Sequence, residues 1–296
     1  MVVPSLVNRA YVLDLLPGRS FLEALAAAGL RPFLLDWDAP GADERRFDLD
    51  AYIARSERAL AAVRARAGAP VGLIGYCMGG LFTVAMAQRQ PDAVGAHAML
   101  AAPWDFAAYD RGWLALLELA LPALNAIGEA LGALPVDILQ ALFASLDPFL
   151  ADRKFRRFAA LDPAGTEARL FVALEDWLND GVPLAERVAR ETFEGWFLAN
   201  APGRGAWRVA GRPVRPQEVA APTLVVVPEQ DYIVPPASAA AVVPLLARGQ
   251  RLGVAAGHIG MVAGGRAERV LYRPVMEWLR TTLRDGVALS SRKRRP

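Results

Sequence analysis

The chain has 296 residues, of which 54% are hydrophobic and 22% charged, with a net charge of +2. That composition supplies one large core or two modest ones and excludes global disorder. The basic excess sits largely in the tail "SSRKRRP", which argues against a nucleic-acid surface, and a single cysteine excludes an internal disulfide and points to a reducing, cytoplasmic setting.

From the N-terminus, "MVVPSLVNRAYVLDLLPG" lacks a basic stretch followed by a long apolar run, so no signal peptide is expected. "YVLDL" is apolar and reads as either strand or helix. "SFLEALAAAGL" reads as a helix with Ser20 as N-cap and Gly29 as its stop, and "RPFLLDW" as a strand. "DLDAYIARSERALAAVRARAG" is an amphipathic helix ended by Gly68. A strand "PVGLIGY", a helix "GGLFTVAMAQRQ" and a strand "AVGAHAMLAAP" follow.

After Trp104 the pattern becomes helical, rich in Leu, Ala and Phe, and broken by prolines. Its most apolar stretch, Trp113 to Leu150, is interrupted by Glu118, Pro122, Asn125, Glu129, Pro135 and Asp137, so a buried helical layer is expected and no transmembrane segment. Strand patterning returns at "APTLVVVPEQD" and "QRLGVAAGH", and "GRAERVLYRPVMEWLRTTLRDG" reads as a closing helix. Short apolar runs alternating with helices predict an α/β fold with a mostly parallel sheet. The expected organisation is a core of residues 1–103 and 205–286, a helical cap of residues 104–204, and a basic, solvated tail of residues 287–296.

The cysteine lies in "GLIGYCMGGL". Gly75-x-Cys77-x-Gly79, after an apolar strand and opening a helix, has the form of a nucleophile elbow with Cys in place of Ser. A sharp strand-to-helix turn strains the backbone at the nucleophile and leaves no room for side chains two positions to either side. Gly75 and Gly79 remove those side chains, and Gly80 lets the helix pack closely. The helix N-terminus beside the sulfur favours its thiolate, and the Met78 amide is the expected oxyanion donor.

Such a nucleophile needs an acid and a base later in the chain. The chain has two histidines. His97 falls inside a strand and reads as a core residue, whereas His258, in "AAGHIGMVAGG", follows a strand among glycines, where a base would stand. Asp231 ends the strand "PTLVVVPEQD" and is the expected acid, although an aspartate after a strand often only caps a turn. Cys77, Asp231 and His258 thus form the expected triad. A thiolate attacking a thioester yields another thioester and keeps the acyl group activated, so Cys points to acyl transfer from a donor such as an acyl-CoA. No second His or Cys accompanies His258 or Cys77, so neither a metal site nor a bound cofactor is expected, with acyl-CoA as substrate.

The stretches "LVNRAYVLDLLPGRSFLEALAAAGLRPFLLDWDAP", "GYCMGG", "PEQDYIVPPASA" and "GHIGM" resemble the catalytic subunit of poly(3-hydroxyalkanoate) synthases, especially the short type that works with a second subunit. The resemblance implies an α/β-hydrolase-like fold with a helical cap, and acylation of Cys77 by a 3-hydroxyacyl-CoA. His258 would deprotonate the thiol or the next monomer's hydroxyl, and Asp231 would orient His258. By the same match, the loop "PSLVN" would supply a second oxyanion amide at Val7. A growing polyester, a second synthase subunit or a homodimer, and polymer granules in the cytoplasm are the implied partners and place. The family has strands ahead of the equivalent of "VVPSLVN", whereas this chain starts almost on that loop, so early sheet strands are expected to be missing.

Three other readings stay open on the residues. Cysteine hydrolases resembling dienelactone hydrolases share the elbow but are compact and lack a long cap. A thioesterase or esterase on the same scaffold, and a non-catalytic homologue, are the remaining two. The aromatic residues Trp104, Trp177, Phe193, Trp196 and Phe197 are expected to pack the cap interior more than to line a substrate path.

Overall fold

The computed structural model describes residues 1–293. In chain order its main elements are β1 (Val2–Val3), α1 (Phe21–Ala27), α2 (Leu49–Ala67), β2 (Val71–Tyr76), α3 (Gly79–Arg89) and β3 (Val94–Leu100). Five helices follow: α4 (Arg111–Leu131), α5 (Val136–Ala144), α6 (Leu150–Ala159), α7 (Thr166–Asn179) and α8 (Glu186–Arg190), the last running into a π-helical segment, Glu191–Leu198. The chain then returns through β4 (Thr223–Pro228), α9 (Pro236–Ala240), β5 (Gly249–Val254), α10 (Gly260–Ala263) and α11 (Arg273–Lys293).

The five strands form one sheet in the order β1-β2-β3-β4-β5, every pairing parallel. Parallel strands covered on both faces read as continuous apolar runs, and β4, "TLVVVP", is buried at every position. The two faces show in the glycines of β2. A methyl group at Gly72 would meet Leu279 and Leu283 of α11, and one at Gly75 would meet Thr83 of α3. Opposite faces for residues of opposite parity is the two-residue period of a strand, so α3 and α11 sandwich the sheet.

The helix caps are local and follow the sequence. Ser20 accepts the Glu23 amide at the start of α1, Asp48 accepts the Ala51 amide at the start of α2, and Gly68 ends α2 at φ 67°. Two expected strands are reduced. "RPFLLDW" makes only a parallel bridge, Val2 to Leu34, with hydrogen bonds from the Val2 amide to Phe33 and from the Leu35 amide to Val2. "YVLDL" turns through a 3-10 segment, Ala10–Leu13, into a short hairpin.

The stretch Trp113 to Leu150 differs from the buried layer expected of it. On α4 only Trp113, Leu117 and Gly128 are buried, while Leu116, Leu119 and Leu131 are exposed, Leu119 to 80%. By length and composition α4 is long and apolar enough to cross a membrane. In this structure it packs on α8 and the π-helical segment, and Asn125 Nδ2 donates to Glu194 Oε1 at 2.8 Å. The helix is continuous through Pro122. At the other end of the chain, α11 runs to Lys293, so the tail expected at 287–296 begins within a helix, and residues 294–296 lie outside the described residues.

Candidate active site

β2 ends at Tyr76 and α3 begins at Gly79, leaving Cys77 and Met78 to make the turn. Cys77 sits at φ 52°, the left-handed region that a residue with a Cβ rarely occupies, and its amide donates to Leu100 of β3 at 2.9 Å. The surrounding glycines are there for want of space. A methyl at Gly75 would lie 2.5 Å from the Gly80 Cα, one at Gly79 would strike the carbonyls of Val3 and Pro4, and one at Gly80 would strike the Ala102 side chain. The elbow is therefore wedged between its own helix, the loop after β1 and the segment after β3. Cys77 is a free thiol with 7% of its surface exposed.

Asp231 follows β4 and serves two purposes at once. Its Oδ1 accepts the amides of Ile233 at 2.8 Å and Val234 at 2.9 Å, which is the turn-capping role of a strand-end aspartate. Its Oδ2 accepts the Nδ1 proton of His258 at 2.7 Å. That bond fixes the tautomer and leaves the imidazole Nε2 for another partner. His258 stands in the loop after β5, with its own carbonyl receiving the Tyr76 hydroxyl at 3.3 Å and its ring 5.2 Å from the Tyr76 ring. Both members of the pair are buried.

The electrostatics tie the sulfur to this pair. Burial is the largest influence on His258 and lowers its pKa, but the charges of Asp231 and Cys77, together with side-chain hydrogen bonds to both, override it and raise the imidazole to about 10. An imidazole that bonds a carboxylate on one side and meets a cysteine on the other has the arrangement of a Cys–His–Asp triad. The structure thus brings together Cys77, Asp231 and His258 from three separate regions of the chain. His97 lies apart from them. It is buried within β3, with Nε2 2.9 Å from Thr83 Oγ1 and Nδ1 3.2 Å from Thr223 Oγ1, and burial lowers its pKa to about 3.

Among the described residues the Met78 amide, next to Cys77, donates no hydrogen bond, as an oxyanion donor requires. The Val7 amide is free as well, but so are those of Ser5 and Leu6, and the Val7 carbonyl accepts from Val182 at 3.2 Å. The loop therefore offers several amides rather than singling out Val7.

The aromatic residues of the insertion pack as expected. Trp104, Trp177, Phe193, Trp196 and Phe197 are all buried, and Trp177 Nε1 donates to the Arg9 carbonyl at 2.8 Å, pinning α7 to the loop after β1. Two tyrosines near the triad escaped sequence reasoning. Tyr76 backs His258, and Tyr109, just before α4, feels the charges of both Cys77 and Asp231. Tyr76 could have been found from its place beside the cysteine, whereas nothing local marks Tyr109.

Residues 13–262 match the family model described as alpha/beta hydrolase fold. The chain is 28% identical over 287 residues to the poly(3-hydroxyalkanoate) polymerase subunit PhaC of Allochromatium vinosum, covering 94% of this chain and 79% of that one. It is also 28% identical to the PhaC subunit of Haloferax mediterranei, covering 94% of this chain and 58% of that longer one. Among solved structures, an esterase from Thermogutta terrifontis superposes with a TM-score of 0.59 over 95% of this chain and 89% of that one, at 18% identity, which speaks to the fold alone.

Proposed function

The chain belongs to the alpha/beta hydrolase fold family, and we propose that within it this protein is an acyltransferase of the poly(3-hydroxyalkanoate) synthase kind, using Cys77 to carry 3-hydroxyacyl groups taken from CoA thioesters. The observation that carries this reading is a strained cysteine, at φ 52°, where the fold places its nucleophile, in a chain whose polymerase relatives align over 94% of its length.

In this reading the thiol proton rests on His258 Nε2 while Asp231 accepts Nδ1–H, and the sulfur attacks the thioester carbonyl. The Met78 amide, with one amide of the loop after β1, receives the negative charge on the carbonyl oxygen. The carbon–sulfur bond to CoA breaks, and His258 returns its proton to the departing thiolate. The acyl group then rests on Cys77 as a thioester, with its transfer potential intact. The 3-hydroxyl of a second acyl unit loses its proton to His258 and attacks that thioester; the acyl–sulfur bond breaks, Cys77 is released with the proton held by His258, and the new ester lengthens the chain by one unit. Helices α4 to α8 act as the cap, and their buried aromatic residues keep water from the intermediate.

Supporting a polymerase over a hydrolase is the sulfur itself, since a serine would hold the acyl group as a less reactive ester. A growing polyester and either a second subunit or a second copy of this chain are the partners this reading calls for, and a cytoplasmic pool of acyl-CoA is its source of substrate. The test is to incubate the protein with 3-hydroxybutyryl-CoA and follow CoA release together with product size. High-molecular-mass polyester is expected, with both signals abolished in Cys77→Ala. Free 3-hydroxybutyrate in stoichiometric yield would make the protein a thioesterase, and no CoA release would leave it without this chemistry.

A further inference from the structure

Tyr109 sits between the carboxyl end of β3 and the start of α4, in a segment that is held at several points. The Phe106 amide donates to Asn200 Oδ1 at 2.9 Å, Asn200 Nδ2 donates to Asp105 Oδ1 at 2.7 Å, and the Tyr109 amide donates to the Phe106 carbonyl at 3.2 Å. The next residue, Asp110, caps α4 by accepting the Trp113 amide at 2.9 Å. The ring is clamped too. It stacks on Phe106 with centroids 5.7 Å apart and planes 9° from parallel, and meets Phe197 edge-on at 5.2 Å. Tyr109 therefore has little freedom to move, and only 5% of it is exposed.

Its hydroxyl is anomalous in that setting. A buried phenol ordinarily finds a partner. Tyr76, equally buried, spends its hydroxyl on the His258 carbonyl. The Tyr109 hydroxyl makes no hydrogen bond among the described residues. Nor is it sealed off. The side-chain polar atoms wholly enclosed without a partner are Trp37 Nε1, Trp104 Nε1, Thr192 Oγ1 and Trp196 Nε1, and the Tyr109 oxygen is not among them. Tyr109 thus holds a rigid, buried hydroxyl that has no partner among the described residues and is not fully enclosed. The segment leading to it passes between the elbow, where Ala102 abuts Gly80, and α9 after Asp231, where Ser238 Oγ accepts the Trp104 amide at 3.3 Å. Burial first, and then the charges of Cys77 and Asp231, push the Tyr109 pKa well above its ordinary value. The hydroxyl keeps its proton and remains a donor.

We propose that Tyr109 is the specificity-determining residue that reads the hydroxyl of the acyl substrate, its phenolic O–H donating to the 3-hydroxyl oxygen of the acyl group carried on Cys77. The inference rests on the acyl-transfer reading given above. The physical reason is that a 3-hydroxyacyl chain carries one polar group beyond its thioester, and the surroundings of Tyr109 are otherwise apolar, with Phe106, Trp113 and Phe197 packed on its ring. A buried substrate hydroxyl without a partner is rejected, whereas a site that bonds it rejects the analogue lacking it.

The experiment measures single-turnover loading of Cys77, read as CoA release, with 3-hydroxybutyryl-CoA and with butyryl-CoA, in the wild type and in Tyr109→Phe. The wild type is expected to load the hydroxylated thioester faster. In Y109F, kcat/KM for 3-hydroxybutyryl-CoA is expected to fall about 10- to 100-fold, while that for butyryl-CoA stays within about threefold. Retained loading by butyryl-CoA also reports that the variant is folded. Unchanged selectivity in Y109F, or an equal loss with both thioesters, overturns the role given to Tyr109 and leaves acyl transfer standing. A wild type that does not distinguish the two thioesters overturns it without any variant. A wild type that loads neither removes the acyl-transfer reading and this inference with it.

Discussion

His97 offers the cleanest physical test of how the sheet supports the elbow. The imidazole is fully buried between Thr83 of α3 and Thr223 of β4. The Thr83 hydroxyl donates to the Gly80 carbonyl at 2.9 Å and so accepts the Nε2 proton, while the Thr223 hydroxyl, 3.2 Å from both Nδ1 and the Ala221 carbonyl, is placed to donate to Nδ1. His97 is thus neutral, protonated at Nε2, and connects the first turn of the nucleophile helix to the strand that leads to Asp231. Burial lowers its pKa to about 3, against an ordinary value of about 6.5. With the folded value depressed, the unfolded chain takes up the proton first, so stability is present above about pH 6.5 and lost as the pH falls. Between about pH 5.5 and 4 the unfolded state binds close to one extra proton, and at ~1.4 kcal/mol per pH unit that window costs about 2 kcal/mol. Urea unfolding followed by tryptophan fluorescence at those two pH values, in the wild type and in His97→Gln, isolates the contribution. Gln keeps a nitrogen donor for Thr83 but does not titrate. The wild type is expected to lose about 2 kcal/mol more than the variant over the window. Parallel losses would refute the burial argument.

Two further outcomes follow from the elbow and the Asp–His pair. Gly75→Ala places a methyl 2.5 Å from the Gly80 Cα, backbone against backbone with nothing flexible to yield. It is expected to abolish CoA release and to lower stability by about 2–4 kcal/mol, checked by the same assay and by thermal unfolding. Asp231→Asn keeps an oxygen for the Ile233 and Val234 amides but turns an N–H toward His258 Nδ1, so the fold should hold while loading of Cys77 slows about 10³- to 10⁴-fold. A large drop in thermal midpoint with loading intact would contradict that assignment.

What the sequence made legible is what short-range sterics enforce. The glycines around Cys77 predicted a tight elbow because the clash they relieve is with residues a few positions away, and the contacts of Gly75 bear this out. The cap at Ser20 and the stop at Gly68 were legible for the same reason, and so was the buried, structural character of His97, which stands in the middle of an apolar strand. Asp231 and His258 became legible through chain order, because a parallel sheet delivers the ends of successive strands to one edge. The misses share the opposite cause. α4 is apolar over its whole length, and composition alone does not say which face finds a neighbour, so a helix expected to be buried exposes Leu116, Leu119 and Leu131. "RPFLLDW" has the pattern of a strand, yet it pairs only with the two residues of β1, and a strand extends no further than its partner. Tyr109 looks like any loop aromatic until residues from Phe106 to Phe197 close around it and leave its hydroxyl alone. Patterns along the chain therefore locate the candidate triad, through strain at Cys77 and the order of strand ends. The groups that would choose the substrate are assembled from the cap, where the packing is non-local, and there the coordinates are needed before the chemistry reads out.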